Sequence, residues 1–199
     1  DTICVTNTAG YSLAATAVAN PATGTWRQIS GAAATIANTS SATSGVTGLA
    51  VGVYEFEWNV TNGVCPATMD TVTITVFATP TAIAGMDDTI CSSNTVGYRL
   101  NATAVSSPNI GTWTQLSGAA TGITSPTSAN SVITGLTVGV YEYIWTVDNG
   151  VCNSVSDTLE ITVFGLTTSN AGQNDTICVT NTAGYSLAAT AVANPATGT

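Results

Sequence analysis

Gly52-Val-Tyr-Glu-Phe-Glu-Trp-Asn-Val60 decides the fold. Tyr54, Phe56, Trp58 and Val60 alternate with Glu55, Glu57 and Asn59. That two-residue period belongs to a strand with one face in a core and the other in water. Asn62-Gly63 follows, and both residues tolerate the positive φ of a hairpin turn. Thr71-Val-Thr-Ile-Thr-Val-Phe77 then returns with Val72, Ile74 and Val76 inward and threonines outward. Upstream, residues 11–18 alternate with Tyr11, Leu13, Ala15 and Ala17 on one face. A strand over residues 24–30 follows a proline-containing loop, and weaker strands are expected near 33–37 and 44–49. Helical periodicity is absent. Six or seven short alternating strands with frequent turn signals predict an all-β sandwich. Trp26 and Trp58 are expected in its core.

The same pattern returns 87 residues later as residues 141–147, Asn149-Gly150 and residues 158–164. Asp-Thr-Ile-Cys stands at 1–4, 88–91 and 175–178, and the first two copies share 49 of 87 positions. The third copy, residues 175–199, matches residues 1–25 at all 25 positions but the second copy at only 16. The pattern is therefore A-B-A, and a window on a longer array is expected. Residues 1–79 read as module A, 80–166 as module B and 167–199 as the start of a third. The joining segments, 78–85 and 165–172, are short, and Pro80 stiffens the first.

Charged residues make up 7% of the chain, far below the usual ~25%. Eleven acids face Arg27 and Arg99, with no Lys, for a net charge of −9. Nothing there neutralises phosphates, so neither nucleic acid nor an anionic membrane surface is an expected partner. No apolar run reaches the ~18 residues of a membrane span, and any targeting segment would lie outside this window. There is no His, hence no histidine base and no Ser-His-Asp triad. Glu55 and Glu57 suggest paired carboxylates, but the second copy has Glu142 and Ile144. The acids Asp70, Asp87, Asp88 and Asp157 lack a calcium-loop pattern. No catalytic residue, metal site or cofactor is expected.

Cys4 and Cys65 recur as Cys91 and Cys152, each pair 61 apart, and Cys178 begins the next pair. Two cysteines per module at fixed positions read as one intramodular disulfide each, Cys4–Cys65 and Cys91–Cys152. Buried free thiols are the alternative. Persistent disulfides place the chain outside the cytosol.

Three stretches carry a resemblance. Gly-Thr-Trp-x-Gln-x-Ser-Gly stands at 24–31 and 111–118. Thr-Gly-Leu-x-Val-Gly-Val-Tyr-Glu-x-x-Trp-x-Val-x-Asn-Gly-Val-Cys stands at 47–65 and 134–152. Asp-Thr-x-x-Ile-Thr-Val stands at 70–76 and 157–163. These resemble PKD-type, Ig-like repeats of large surface adhesins and extracellular filaments of Bacteroidota-type bacteria. The resemblance implies a structural, non-enzymatic repeat at the cell surface. Its partners would be neighbouring modules or other copies in a fibre. It also implies covalent glycans, since Asp-Thr-aliphatic is an O-glycosylation pattern in such proteins, here at Thr2, Thr71, Thr89, Thr158 and Thr176. A carbohydrate- or partner-binding module is the competing expectation, and would need exposed aromatic residues.

Overall fold

The computed structural model describes residues 1–181 and 183–190. Seven strands build the first module: β1 (Thr2–Cys4), β2 (Ser12–Ala14), β3 (Thr23–Ser30), β4 (Thr35–Ile36), β5 (Thr43–Thr47), β6 (Gly52–Asn62) and β7 (Cys65–Phe77). They form two sheets, ordered β1-β7-β6-β3 and β2-β5-β4. β1 runs parallel to β7 with Cys4 opposite Phe77, while β6 pairs antiparallel with β3 and β7. The second module has β8 (Asp88–Cys91), β9 (Ile110–Ser117), β10 (Gly122–Ile123), β11 (Ile133–Thr134), β12 (Gly139–Asp148) and β13 (Val155–Phe164). Its large sheet keeps the order β8-β13-β12-β9, and its small sheet shrinks to β10-β11. A single bridge, Arg99 to Val132, marks where β2 meets β5 in the first module. The tandem Ig-like sandwich expected from the alternation is what forms.

The alternating face fills the core. Tyr54, Phe56, Ile74 and Val76 are buried with Trp26, Trp58 and Leu13, and Tyr141, Tyr143, Ile161, Val163, Trp113, Trp145 and Leu100 form the second core. Trp26 and Trp58 stand opposite each other on β3 and β6, with ring centroids 5.1 Å apart. Trp113 and Trp145 repeat that pair at 5.1 Å. Tyr54 also uses its hydroxyl, which accepts from Ala50 N (2.8 Å) and donates to Ala50 O (3.1 Å). Tyr141 does the same with Thr137 at 2.9 and 3.0 Å. This is the tyrosine corner of Ig-like sandwiches, which ties the loop entering a strand to that strand.

Two expectations change. The strand expected over 11–18 is only Ser12–Ala14. Beyond it the expected inward positions are Ala15 and Ala17, whose small side chains bury little area, and Ala17 is exposed. Glu57, expected in water, is only 7% exposed. Its carboxylate accepts from Arg27 Nε (2.8 Å) and Nη2 (3.3 Å) on the neighbouring strand. The guanidinium fork satisfies both oxygens, so the carboxylate tolerates its cover. In the second module Thr114 and Ile144 occupy these opposed positions, so the ion pair has no copy there.

Candidate functional site: the junction between modules

The cysteines do not pair within modules. Cys4 ends β1 at the pole where β7 leaves its module, and Cys65 opens β7 at the other pole. β7 is 13 residues long, so at ~3.3 Å per residue the two cysteines stand about 40 Å apart. A disulfide needs Cα atoms within ~7 Å. The second module has the same polarity, with Cys91 opposite Phe164 and Cys152 before the start of β13. Both expected bonds, Cys4–Cys65 and Cys91–Cys152, are therefore excluded. Cys4 instead bonds Cys152, with Cα atoms 4.9 Å apart and a sequence separation of 148. That separation is one repeat period plus the spacing within a repeat, so the bond crosses from the tail of one module to the head of the next. Cys65, Cys91 and Cys178 carry free thiols.

The turn after β12 is built around this contact. Asn149 Nδ2 donates to Ala78 O at 2.9 Å, just past β7. Asn149 Oδ1 accepts from Val151 N (3.1 Å) and Cys152 N (2.8 Å), which holds the cysteine against the preceding module. Gly150 N donates to Asp148 Oδ1. Cys4 and Cys152 are both buried, as is Pro80 in the joining segment. The chain enters the second module at once: Ala82 and Ala84 pack in its core. Asp157 Oδ2 accepts from Ala84 N at 2.9 Å, and Glu160 N donates to Asp87 Oδ1 at 2.8 Å. The two joined sandwiches are thus tied by a covalent bond, a side-chain clasp and a short entry segment.

Thr2, Thr71, Thr89, Thr158 and Thr176 are all exposed. The aspartates before them have structural work of their own. Asp1, Asp88 and Asp175 each accept from the following Thr N and from a tyrosine hydroxyl, Tyr11, Tyr98 and Tyr185. Burial, with Asp88 beside it, pushes the Tyr98 hydroxyl well above the usual tyrosine range. Asp70 accepts from Thr71 N. The four tryptophans are buried and offer no stacking platform for sugars. The hollow lined by Pro108, Ile110, Thr112, Thr146, Asp148, Asn149 and Gly150 has no aromatic side chain. Among the described residues, no group of three or more His, Cys, Asp or Glu is placed to hold a metal. No helix there is long and apolar enough to cross a membrane.

Residues 4–76 match the family model of the K319L-like PKD domain. The first module is a PKD/Ig-like domain. The second repeats the order of the large sheet on a sequence copy of the first. Among solved structures, the N-terminal eight Ig domains of Down Syndrome Cell Adhesion Molecule (DSCAM) isoform 1.30.30 align with TM-score 0.52 at 15% identity, over 72% of this chain and 21% of that one. Drosophila N-cadherin EC1-4 aligns with TM-score 0.42 at 15% identity, over 73% and 41%. Mouse clustered PcdhgC3 EC1-3 aligns with TM-score 0.42 at 11% identity, over 83% and 64%. This chain spans about a fifth of the DSCAM chain, and the likeness is one of fold. No curated protein sequence matches the chain.

Proposed function

We propose that this chain is a structural stretch of an extracellular filament or adhesin stalk, in which PKD-type modules are spacers and the disulfide across each junction fixes their order and direction. The observation that carries this reading is the Cys4–Cys152 bond. A bond inside a module would stabilise that module alone. A bond between modules restrains the hinge, which a stalk requires and an independent binding module does not. Its persistence requires an oxidising environment, the cell surface or beyond. Neighbouring modules and further copies of the chain are the partners.

Small-angle scattering with and without reductant tests this. The oxidised chain should scatter as one elongated particle. Reduction should broaden its pair-distance distribution as the junction begins to hinge, while circular dichroism stays that of folded sandwiches. An unchanged distribution would leave the bond without a spacer role.

The same reading includes glycans on Thr2, Thr71, Thr89, Thr158 and Thr176. Their exposure supports this, as does a surface with few charges of its own. Intact mass measurement of protein from its source should show hexose-containing additions at these threonines. A mass equal to that of the bare chain would remove glycans from the account.

A further inference from the structure

Asn is followed by Gly twice in the sequence, at 62–63 and at 149–150. Such a pair can react with itself. The glycine nitrogen attacks the carboxamide carbon of the asparagine before it, and glycine has no Cβ to crowd the approach. Gly150 lies in open space, since a Cβ built on it would meet nothing within 4 Å.

The closed junction holds both reacting groups back. Gly150 N donates to Asp148 Oδ1 at 2.8 Å. The amide must lose that proton to become a nucleophile, and its anion would form beside a carboxylate. The Asn149 carboxamide is pinned at three points: Nδ2 donates to Ala78 O, and Oδ1 accepts from Val151 N and Cys152 N. Ring closure makes the carboxamide carbon tetrahedral and turns it toward Gly150 N, which these bonds oppose. Two of the restraints depend on the preceding module. Ala78 lies just past β7, and Cys152 is fixed there by its bond to Cys4.

We infer that Asn149 is a self-modification site controlled by the junction: while the junction is closed the asparagine persists, and once it opens the residue converts to aspartate and isoaspartate and cannot clasp again. Gly150 N bonds Asn149 Cγ, the Cγ–Nδ2 bond breaks, and ammonia leaves with the proton from Gly150 N. Solvent water then adds to one carbonyl of the cyclic imide and breaks one of its two C–N bonds. One water is consumed, one ammonia is released, and nothing is oxidised or reduced. The product carboxylate has no N–H for Ala78 O, so two acceptors face each other. In isoaspartate the main chain also gains a methylene, which shifts Cys152. An opened hinge therefore stays marked and loose. The inference rests on the junction reading above.

The test follows the intact chain by mass spectrometry during incubation at neutral pH in oxygen-18 water, in three states: oxidised, reduced but folded, and reduced in urea. Digestion at mildly acidic pH limits conversion during handling. In the oxidised chain Asn149 should persist. Reduction should raise its conversion about tenfold, the effect of losing one or two hydrogen bonds, and urea should raise it further. Asn62, which lies outside the Cys4–Cys152 contact, is the internal reference and should convert equally before and after reduction. On reoxidation the Cys4–Cys152 bond should re-form more slowly in converted chains. Asn149 converting as fast in the oxidised chain as in urea, or as slowly after reduction as before it, would overturn the inference. So would equal reoxidation of converted and unconverted chains. An oxidised digest that lacks the Cys4–Cys152 peptide would end the junction reading as well.

Discussion

Replacing Gly111 by alanine is expected to unfold the second module at temperatures where the first remains folded. A Cβ at Gly111 would lie 2.0 Å from Trp145 Cζ2 and 2.4 Å from Cη2. The atoms in the way belong to a rigid ring, not to the end of a flexible chain. Trp145 cannot retreat, because it is fully buried against Trp113 on the next strand. Overpacking of a tight core costs about 1–3 kcal/mol and sometimes more. An indole with no free side falls at the upper end, about 3 kcal/mol. For a module of this size that lowers the melting temperature by roughly 15 °C. Calorimetry should therefore split one transition into two. Gly24→Ala, which meets Trp58 at 2.0 Å, should move the other transition. Gly45→Ala is the control, since its Cβ meets nothing nearer than 4.0 Å. A Gly111→Ala chain melting within about 2 °C of the parent would mean that the tryptophan does not sit on the glycine.

That packing shows how far the sequence could be read. The alternation in residues 52–60 and 71–77 is strong because large side chains sit on one face only. Its strands and core residues appear in the structure with the expected sidedness. Residues 11–18 alternate too, but beyond Leu13 the expected inward positions are Ala15 and Ala17, and the strand stops at Ala14. Glu57 breaks the face rule because Arg27 lies directly across from it, a pairing that one strand's own pattern does not contain. The tyrosine corner was available: Leu49 and Gly52 ahead of Tyr54 recur as Leu136 and Gly139 ahead of Tyr141.

The cysteine pairing is illegible without the polarity of the strands. Their fixed spacing suggests a bond within the repeat. Spacing does not say that β1 runs parallel to β7 and so carries Cys4 to the pole opposite Cys65. Cys65 stands two residues after Gly63 of the Asn62-Gly63 turn, which places it at a hairpin tip, and that is the signal the sequence carries. Junction residues in a repeat protein are legible only once each copy is given a head and a tail, because their partners lie in the neighbouring copy.

Under tension, the second large effect follows from the same bond. A pull on the two ends of the chain enters at Asp1, reaches Cys4, crosses to Cys152 and leaves along β13. Residues 5–151, the first module beyond β1 and most of the second, lie outside the load path, so they are shielded while the bond holds. A separation of 148 residues corresponds to about 500 Å of extended chain. A stalk built this way resists stretching through sulfur, and its sandwiches set spacing and direction.

Single-molecule stretching of the oxidised chain from its termini, before and after reductant, tests this account most directly. With Cys4–Cys152 closed, the fully stretched chain should lengthen on reduction by about 500 Å, the span of 148 residues. A gain near 410 Å, the sum expected from two separate loops of 61 residues, would mean bonds inside each module and would contradict the intermodular staple.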